Sequence, residues 1–431
     1  MAAVSFAGLS CVSVSDTAGG QECALALTYR SSNMPLQTIK RRSRGFICVN
    51  AHPEGCRQNV ERWVADIRGG IPPGQAGPKN VLVIGASTGY GLASRIAAAW
   101  GYGAKTLGVF FERPPDGDKV ATAGHYNTVA LHSTAKNDGL FAASINGDAF
   151  SDAIKRAAAE VLRNQMGPVD LVIYSLAAPK RTDPRTGLVH NSVLKPLGQA
   201  YTNRTIELDS EKVVSVTIQP ANENEVADTV AVMGGEDWRR WIDMLLEKKL
   251  LADGARTLAY SYIGPELTWP IYRDGTIGQA KKDLEHVAND LDAALANKLG
   301  GNAWVSVNKA VVTQASAAIP VVPLYLSLLP VIMKKKNLEE GPLEQMRRLF
   351  TDFLCTGKPM KLDEGRRLRL DDREMRRDVQ AEVADLWPRV TTENLRAVTD
   401  FAGFQREFCG LFGFEVEGVD YEQPTETDLH W

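Results

Sequence analysis

Residues 80–100 constrain the fold of this chain more than any other segment. They read NVLVIGASTGYGLASRIAAAW, in which an apolar run precedes Gly85, Gly89 and Gly91, and an alanine-rich stretch follows. Glycines in such a turn let the backbone bend sharply and approach a pyrophosphate, whose negative charge the free amides at a helix N-terminus bind. The pattern therefore predicts a strand, a phosphate-binding turn and a helix, which is the first unit of a dinucleotide-binding fold.

Three more apolar runs follow at intervals that suit parallel strands. They are residues 106–111 (TLGVFF), the segment SINGDAF and the segment VDLVIYSLAAPKR. These runs do not alternate between polar and apolar residues, so we expect burial on both faces of a parallel sheet covered by helices. The order βαβαβ predicts a doubly wound α/β fold with its ligand outside the carboxyl ends of the strands.

Glu112 stands at the end of the second predicted strand. An acid at this point can accept hydrogen bonds from the adenosine ribose hydroxyls and repel a 2'-phosphate, so it predicts NADH rather than NADPH as the cofactor. Arg113 beside it could tolerate the phosphate. The alternative interpretation of Glu112 is a solvated charge at a strand end.

The next two predicted strands end in residues that suit the remaining parts of a dinucleotide. Asp148 and Ala149 follow one strand, and there the Asp148 carboxylate could meet the edge of the adenine. Leu176 and Ala177 follow the other, where small side chains would let the nicotinamide half lie flat. Together with the glycine turn, these positions predict one continuous cofactor cleft.

Tyr272 precedes Lys281 by nine positions at the start of a predicted helix over residues 277–298. A tyrosine hydroxyl, with an ordinary pKa of about 10, becomes a useful proton donor when a neighbouring cation adjusts its acidity. Lys281 would supply that cation from one turn inside the helix, although Lys282 lies next to it and only the spacing favours Lys281. The alternative is a half-buried aromatic residue beside a solvated lysine.

With these motifs on one chain, the sequence resembles the FabV-type trans-2-enoyl reductases. The resemblance covers nearly all of residues 44–421, and it rests on the stretches RGFICVNAHPEGC, VLVIGASTGYGLASR, YSLAAPKRTDP, KPLGQAYTNRT, MGGEDW, YSYIGPELTWPIYRDGTIGQAKKDLE, VTQASAAIPVVPLY and DFAGFQREFCGLFGF. The family signature separates its tyrosine and lysine by eight residues, as Tyr272 and Lys281 do, whereas short-chain dehydrogenases and FabI-type reductases have shorter spacings.

The resemblance implies a fold and a set of site residues. The fold would be a Rossmann-type, short-chain-dehydrogenase-like sheet with insertions and a helical C-terminal part. Tyr272 would be the catalytic proton donor, Lys281 would hold the cofactor ribose and assist Tyr272, and Tyr262 would touch the substrate thioester. The NADH site would be lined by Gly85, Ala86, Ser87, Thr88, Gly89, Tyr90, Phe111, Glu112, Asp148, Ala149, Leu176, Ala177, Lys281, Val311, Val312 and Thr313.

The reaction implied by the resemblance is the reduction of an activated double bond in fatty acid synthesis. Hydride from NADH would attack C3 of a trans-2-enoyl thioester, and charge would accumulate on the thioester oxygen, where Tyr272 and Tyr262 offer hydroxyls. Protonation at C2, by Tyr272 or a water that it positions, would complete the saturated acyl thioester. The acyl carrier, CoA or acyl carrier protein, stays open, as does the choice between monomer and homodimer.

Composition narrows the class of protein further. The formal net charge of -3 over 431 residues makes no electrostatic case for nucleic acid or an anionic membrane as a partner. No linker-like stretch interrupts residues 44–421, so we expect one NADH-binding domain over residues 37–431, whose C-terminal helical part begins near residue 335. The six cysteines form no CxxC pair, which suits reduced thiols. Cys48, Asn50, His52 and Cys56 are predicted to be a strand end and a loop, with no metal site.

Three segments outside these motifs carry separate predictions. The uncharged stretch 310–333 is long enough to span a bilayer, but its prolines and polar residues favour a buried, interrupted helix over the acyl pocket. The basic residues that follow, Lys334, Lys335, Lys336, Arg347 and Arg348, are either a docking patch for an acidic carrier protein or an ordinary solvated helix end. Residues 1–36 are either a disordered transit peptide, which would place the protein in the mitochondrial matrix, or an upstream start in a cytoplasmic protein.

The region near the C-terminus contributes two more expectations. MKLDEGRRLRL predicts a solvated hairpin around residues 363–365. Phe401, Phe404, Phe408 and Phe412 recur at helical spacing and are expected to be packing residues rather than a flavin site. Three alternatives to an enoyl reductase remain at this stage: a short-chain-type carbonyl reductase, a nucleotide-binding sensor without catalysis, and a flavin-dependent reductase.

Overall fold

The computed structural model describes residues 12–13, 36–44, 47–72 and 74–431. The prediction for the extension 1–36 falls almost wholly outside the described residues. The strands are β1 Val12–Ser13, β2 Ser43–Arg44, β3 Ile47–Cys48, β4 Asn80–Ile84, β5 Lys105–Phe110, β6 Ala142–Asn146, β7 Val169–Tyr174, β8 Lys180–Thr182, β9 Val189–Asn191, β10 Tyr201–Glu207, β11 Lys212–Ile218, β12 Leu251–Ser261, β13 Asn302–Val307 and β14 Arg367–Arg369.

The helices lie between and after these strands. They are α1 Pro53–Gly70, α2 Gly89–Tyr102, α3 Ala123–Asn137, α4 Asp152–Val161, α5 Glu223–Met233, α6 Glu236–Glu247, α7 Thr276–Leu299, α8 Gln314–Ala318, α9 Val322–Lys335, α10 Pro342–Arg348, α11 Arg377–Leu386, α12 Leu395–Val398 and α13 Phe401–Gly410. Helix α7 confirms the helix predicted after Tyr272, with one extra residue at each end.

The central sheet has the strand order β1-β6-β5-β4-β7-β12-β13-β14. Every pairing in it is parallel, as the unbroken apolar runs predicted. Chain order reverses direction between β4 and β7, because β5 and β6 extend to one side and the later strands to the other. A doubly wound sheet opens its ligand crevice at such a switch point, beyond the carboxyl ends of the strands.

Alternate residues of β4 pack against helices on opposite faces of the sheet. On β4, Val81 and Val83 face a core formed with α1, α2 and α10, whereas Leu82 and Ile84 face a core formed with α4, α6 and α7. All four side chains are fully buried. Successive side chains of a strand point to opposite faces of the sheet. A strand that is covered on both faces therefore lacks the alternation of polar and apolar residues.

A third core lies beyond the sheet and is built mainly from the C-terminal half. Helix α9 is buried along most of its length and packs against α11 and α13. The predicted buried, interrupted helix is confirmed for α9, whereas residues 310–313 are not helical and Gln314 and Ala315 of α8 are exposed. No helix among the described residues is long and apolar enough to cross a membrane.

The phenylalanines near the C-terminus belong to this third core. Phe401, Phe404, Phe408 and Phe412 are all buried. Phe401 and Phe404 stack with ring centroids 6.2 Å apart, and Phe408 meets Phe412 edge to face at 5.4 Å. Aromatic pairs at such distances are packing interactions, and the prediction that these side chains pack is confirmed.

The hairpin predicted around residues 363–365 is wrong in its second half. Asp363 does begin a tight turn, in which Arg366 N donates to Asp363 O at 2.9 Å. The residues after the turn, however, form β14, which pairs in parallel with β13 at the edge of the central sheet. Leu368 is fully buried there. One apolar residue between arginines carries too little pattern to reveal a buried edge strand.

The residues considered for a metal cluster are a strand end, as predicted, followed by the start of a helix where a loop was expected. Cys48 ends β3, and its Sγ donates to Asn50 O at 3.2 Å. His52 is the N-cap of α1, where its Nδ1 accepts from Gly55 N at 3.3 Å, and Cys56 is buried within that helix. Among the described residues, no group of three or more histidine, cysteine or acidic side chains is arranged to hold a metal ion.

A buried ion pair supports the loop after β6. Lys155 Nζ donates to Asp237 Oδ1 at 2.7 Å, and the two residues are only 4% and 1% exposed. The same ammonium donates to the carbonyl oxygens of Ala149 and Phe150, and Tyr174 Oη donates to Asp237 Oδ2 at 3.1 Å. The ion pair thereby joins α4 and α6 to the two strand ends predicted to hold the cofactor.

Removing one charge from this pair should be costly. We expect Asp237→Asn to lower the free energy of unfolding by about 3 kcal/mol, because Lys155 would keep a buried charge without a counter-charge. Asp243→Asn on the same helix is the control. Asp243 pairs with Arg239 at 3.2 Å but is 54% exposed, so its loss should cost less than about 0.5 kcal/mol. Equal midpoints of urea unfolding for the two variants would contradict this account.

Candidate active site

The residues predicted to hold a cofactor lie at one edge of the central sheet. Gly85 directly follows β4, whereas Glu112, Asp148 and Leu176 come two positions after the ends of β5, β6 and β7. Val311 to Thr313 come shortly after β13. Because all of these strands are parallel, their carboxyl ends meet at the same edge. The structure therefore brings to one edge the positions that the sequence could place only one by one.

The glycine turn packs too closely for a side chain at two of its glycines, Gly85 and Gly91. Gly85 has φ +85°, and a Cβ there would lie 2.0 Å from Ser175 O. A Cβ on Gly91 would lie 1.8 Å from Gly85 O. Thr88 is the N-cap of α2, and its side chain makes no capping hydrogen bond. The first amides of α2 are thus available to an anion, and this geometry fits the pyrophosphate of a dinucleotide.

Glu112 is held in place from several sides. Ser87 Oγ donates to its carboxylate at 2.6 Å, and Thr122 Oγ1 also donates to it. Asn146 accepts from Glu112 N at 2.8 Å and donates to Glu112 O at 2.7 Å. Burial raises the pKa of Glu112, while the two hydroxyl donors lower it. This acid is a fixed, half-buried acceptor beside the glycine turn rather than a solvated strand end.

A cavity of about 810 Å³ connects the glycine turn to the later segments. Its walls include Thr88 and Gly89 of the turn, Glu112, and Val312 and Thr313. Residues that the sequence did not suggest also line it, among them Asn59, Arg62, Trp63, Asn127, Gln314 and Arg406. The cavity is large enough for a small organic ligand. Because the glycine turn, Glu112 and the segment Val312 to Thr313 all border it, the cavity fits one end of a bound dinucleotide.

The other predicted cofactor residues differ in exposure. Asp148 is half-buried, and its Oδ1 accepts from Phe150 N at 2.9 Å, while Ala149 is buried. Leu176 is half-buried and Ala177 is exposed. Phe111 is 79% exposed at the sheet edge. An exposed aromatic face of this kind can stack on an adenine without any backbone change.

Tyr272 lies in the turn that leads into α7 and packs against Tyr262. The two rings meet edge to face, with centroids 4.9 Å apart and an interplanar angle of 86°. Burial, followed by the Glu374 carboxylate, raises the pKa of Tyr272. The Lys281 ammonium does not contribute to this change in the pKa of Tyr272. The adjustment of the Tyr272 acidity that was expected from Lys281 is therefore not observed. The Tyr272 hydroxyl makes no hydrogen bond to any described residue, which leaves its proton for a ligand.

The structure distinguishes Lys281 from Lys282. Lys281 is half-buried, and its Nζ donates to Tyr260 O in β12 at 3.4 Å. Burial lowers the pKa of Lys281 to about 8, opposed by the charge of Glu285. Lys282 is exposed on the outer side of the helix, as the turn of about 100° per residue requires. Lys281 is the lysine that faces the sheet edge.

The sequence did not reveal a buried polar network behind these residues. Tyr90 Oη donates to Lys309 O at 2.7 Å and accepts from Gln345 Nε2 at 2.5 Å. Gln345 Oε1 in turn accepts from Lys309 N at 2.9 Å. Glu374 lies fully buried beyond Lys309 and contacts Tyr262. These polar residues are far apart along the chain, and no motif spacing marks them.

Family profiles match three consecutive parts of the chain. Residues 38–117 match the NAD(P)H-binding domain of trans-2-enoyl-CoA reductase, and residues 119–355 match the trans-2-enoyl-CoA reductase catalytic region. Residues 362–425 match a profile described as the enoyl reductase FAD-binding domain. The resemblance drawn from sequence motifs is therefore confirmed over most of the chain.

Curated relatives and solved structures agree with these matches. The chain is 54% identical to an enoyl-[acyl-carrier-protein] reductase [NADH] of Opitutus terrae, over 91% of this chain and 98% of the relative. It is 56% identical to a protein of the same name from Flavobacterium johnsoniae, over 90% and 97%. The crystal structure of Treponema denticola trans-2-enoyl-CoA reductase with NAD superposes with a TM-score of 0.87 at 46% identity, over 91% and 99% of the two chains.

A second crystal structure gives the same result. The trans-2-enoyl-CoA reductase of Clostridium acetobutylicum in complex with NADH has a TM-score of 0.88 and 40% identity, and the match covers 91% of this chain and 98% of that one. The doubly wound, Rossmann-type fold that the sequence predicted is confirmed by this superposition and by the strand order.

The position of Lys281 leads to a pH-dependent expectation for cofactor binding. Its pKa of about 8 means that Lys281 is charged below this pH and loses its charge above it. If the ammonium binds the cofactor ribose, NADH affinity should fall as the pH rises through about 8. Lys281→Ala should weaken NADH binding by about tenfold or more and flatten this pH dependence, since hydrogen bonds to charged groups are the stronger ones.

Fluorescence titration of NADH binding between acidic and alkaline pH would measure this effect. Lys282→Ala is the matched control, because it removes the adjacent but exposed lysine. We expect this control to keep both the wild-type affinity and its pH dependence. A damaging Lys282→Ala beside a silent Lys281→Ala would show that the assignment is off by one residue.

Proposed function

The chain belongs to the trans-2-enoyl-CoA reductase family, and we propose that it reduces trans-2-enoyl thioesters to saturated acyl thioesters with NADH, using Tyr272 as the proton donor. The observation that carries this proposal is the hydroxyl of the half-buried Tyr272, which accepts and donates no hydrogen bond among the described residues. It lies in the segment after β12, and the glycine turn and Glu112 follow strands at the same edge of the sheet. The proposed NADH site and the proposed proton donor, Tyr272, therefore both lie at this edge of the sheet.

The chemistry divides between the cofactor and the chain. Bound NADH would supply the hydride that attacks C3 of the enoyl thioester. The chain would stabilise the negative charge that develops on the thioester oxygen and deliver the proton to C2. The raised pKa of Tyr272 keeps its hydroxyl protonated, so that it can donate a hydrogen bond to the thioester oxygen.

The cofactor side of the site follows from the same contacts. We assign the pyrophosphate to the turn from Gly85 to Tyr90 and to the free amides of α2, and the adenosine ribose to Glu112. Lys281 would bind the ribose next to the nicotinamide. Asp148 and Ala149 would meet the adenine, whereas Leu176, Ala177 and Val311 to Thr313 would border the nicotinamide half.

We propose CoA thioesters as substrates that the enzyme turns over efficiently. The lysines considered for docking an acidic carrier protein are engaged within the chain. Lys334 pairs with Asp400 at 2.7 Å, Lys335 with Glu382 at 3.4 Å, and Lys336 with both Asp378 and Glu382. A helix end whose charges are already compensated offers little attraction to an acidic partner. This favours the solvated helix end over the docking patch.

Other aspects of the sequence-based prediction remain proposals. We propose a single reductase domain over residues 37–431 that acts in the cytoplasm as a monomer or homodimer. NADH is proposed as the only redox cofactor, although residues 362–425 match a profile described as FAD-binding. Supporting this, the four phenylalanines in that region are buried and pack in two pairs, Phe401 with Phe404 and Phe408 with Phe412.

The first test of this function is loss of the proposed proton donor. Tyr272→Phe should lower kcat with crotonyl-CoA by about 100-fold or more, the usual contribution of a positioned acid, and leave NADH affinity nearly unchanged. Steady-state NADH oxidation would measure the effect. Tyr102→Phe is the control, because Tyr102 stacks on Phe350 at the far end of α2 and should keep the wild-type kcat.

The same assay separates the alternatives. A saturated acyl thioester without any alcohol would exclude a carbonyl reductase, any turnover at all would exclude a sensor, and a colourless purified protein would count against a flavin enzyme. Running crotonyl-CoA beside a crotonyl-acyl-carrier-protein substrate would test the carrier. Turnover of the carrier-protein substrate alone would overturn the CoA proposal.

Cofactor preference provides an independent test. Glu112→Ala should narrow the preference for NADH over NADPH, because the repulsion of the 2'-phosphate and the hydrogen bonds to the ribose disappear together. The ratio of kcat/KM for the two cofactors would measure this preference. Asp118→Asn, in the exposed loop after the same strand, should leave the ratio unchanged. If Glu112→Ala also leaves it unchanged, Glu112 does not contact the ribose.

A further inference from the structure

Glu374 is a fully buried carboxylate beneath the tyrosine pair. It lies in a turn between β14 and α11, a region with no motif of its own. Its Oε1 accepts from Tyr262 Oη at 3.2 Å and from Tyr325 Oη at 2.7 Å. Its Oε2 accepts from Ala310 N at 2.8 Å. One carboxylate thus receives three hydrogen bonds from three different parts of the chain.

These three donors belong to segments that border the proposed substrate site. Tyr262 directly follows β12 and packs on Tyr272. Ala310 immediately precedes Val311 to Thr313, and Thr313 is the N-cap of α8. Tyr325 lies on α9, the buried helix of the third core. Glu374 therefore joins the C-terminal region to the tyrosine that packs on Tyr272, to the segment before α8 and to α9.

Hydrogen-bond counting distinguishes the two tyrosines of the pair. An ionised carboxylate can only accept, and a phenol has one hydrogen to donate. While Tyr262 donates to Glu374, its hydroxyl presents only lone pairs to the pocket. The Tyr272 hydroxyl makes no hydrogen bond among the described residues, so its hydrogen remains free. In this arrangement Tyr272 donates the hydrogen bond to the thioester oxygen, and the Tyr262 ring packs against Tyr272 and holds Tyr272 in position.

The charges around Glu374 are consistent with such a fixed acceptor. Burial raises the pKa of Glu374, whereas the charge of Lys309 and the hydrogen bonds from Tyr325 and Ala310 lower it, and Asp371 raises it. Lys309 is itself buried, and its Nζ donates to Ala310 O at 2.7 Å. A buried carboxylate with three donors and a nearby cation has its desolvation largely offset.

We propose that Glu374 is a positioning residue of the reductase, which orients Tyr262 and through it the edge-to-face packing of Tyr272. This inference rests on the proposed function, because it assigns a role in the same site. It also assigns a task to part of the region matched as FAD-binding: the region supplies the carboxylate behind the catalytic tyrosine. Glu374 does not touch the substrate and acts only through Tyr262 and Ala310.

Glu374→Gln tests the proposal because an amide cannot satisfy all three donors. The Ala310 N–H is fixed by the backbone, so the amide oxygen would turn toward it. The amide nitrogen would then face Tyr262 and Tyr325 and force both hydroxyl hydrogens to point elsewhere. We expect kcat with crotonyl-CoA to fall by about tenfold, with KM for NADH unchanged, since misorientation affects the reacting geometry and not cofactor binding.

A double-mutant cycle measures whether Glu374 acts through Tyr262. Tyr262→Phe removes the same hydrogen bond from the other side. If the proposal holds, the double variant should be no slower than the slower single variant, whereas independent residues would multiply their losses. Multiplied losses, or an unchanged kcat in Glu374→Gln, would overturn the proposal. If Glu374→Gln does not fold, Glu374→Asp, which shortens the reach to the tyrosines, enters the same cycle.

Glu340→Gln is the matched control for the loss of a buried glutamate. Glu340 is 3% exposed, and its carboxylate pairs with Arg348 at 2.7 Å and Arg373 at 3.2 Å rather than with a tyrosine. Its replacement should lower the melting temperature but keep kcat and KM. If the wild-type protein does not turn over enoyl thioesters, the proposed function is refuted. If it does, but the losses of kcat in Glu374→Gln and Tyr262→Phe multiply in the double variant, only the role of Glu374 is refuted.

Discussion

The rest of the site depends on one constraint, which is the close backbone contact between the glycine turn after β4 and the end of β7. Gly85 lies against the carbonyl of Ser175, and Gly91 lies against the carbonyl of Gly85, both at distances that leave no room for a Cβ. These contacts hold the turn after β4 to the end of β7, across the point where chain order reverses. The crevice of a doubly wound sheet opens at this point, so the free amides of α2 face the ligand edge only while the packing holds.

The rest of the site is assembled on that edge by polar groups buried where water cannot reach. Lys155 and Asp237 stabilise the loop that carries Asp148, and Tyr90, Lys309 and Gln345 connect the glycine turn to the end of β13. Buried polar groups stabilise a fold only when their hydrogen bonds are complete. Such networks also fix a single geometry, which suits a site where a hydride and a proton must reach adjacent carbon atoms.

The C-terminal region closes the site from behind. Its strand β14 extends the central sheet, and its aromatic side chains complete the third core around α9. Between these two elements, the turn carrying Glu374 reaches Tyr262 and Ala310. The C-terminal region contributes to the sheet, to the third core and to the contacts of the tyrosine pair. It is therefore part of the reductase itself, although the family profile that it matches is described as FAD-binding.

Local patterns in the sequence were sufficient for the parallel sheet, the glycine turn, helix α7 and the family, because period, spacing and turn chemistry are properties of neighbouring residues. Only the tertiary structure decided that Lys281 rather than Lys282 faces the sheet, that Arg367–Arg369 is an edge strand, and that Lys334 to Lys336 are paired with carboxylates. Glu374 is the sharpest case. It stands in the charged run DDREMRRD, which predicts a solvated surface, yet it is buried because its three hydrogen-bond donors come from distant parts of the chain and meet only when the sheet edge and α9 pack together.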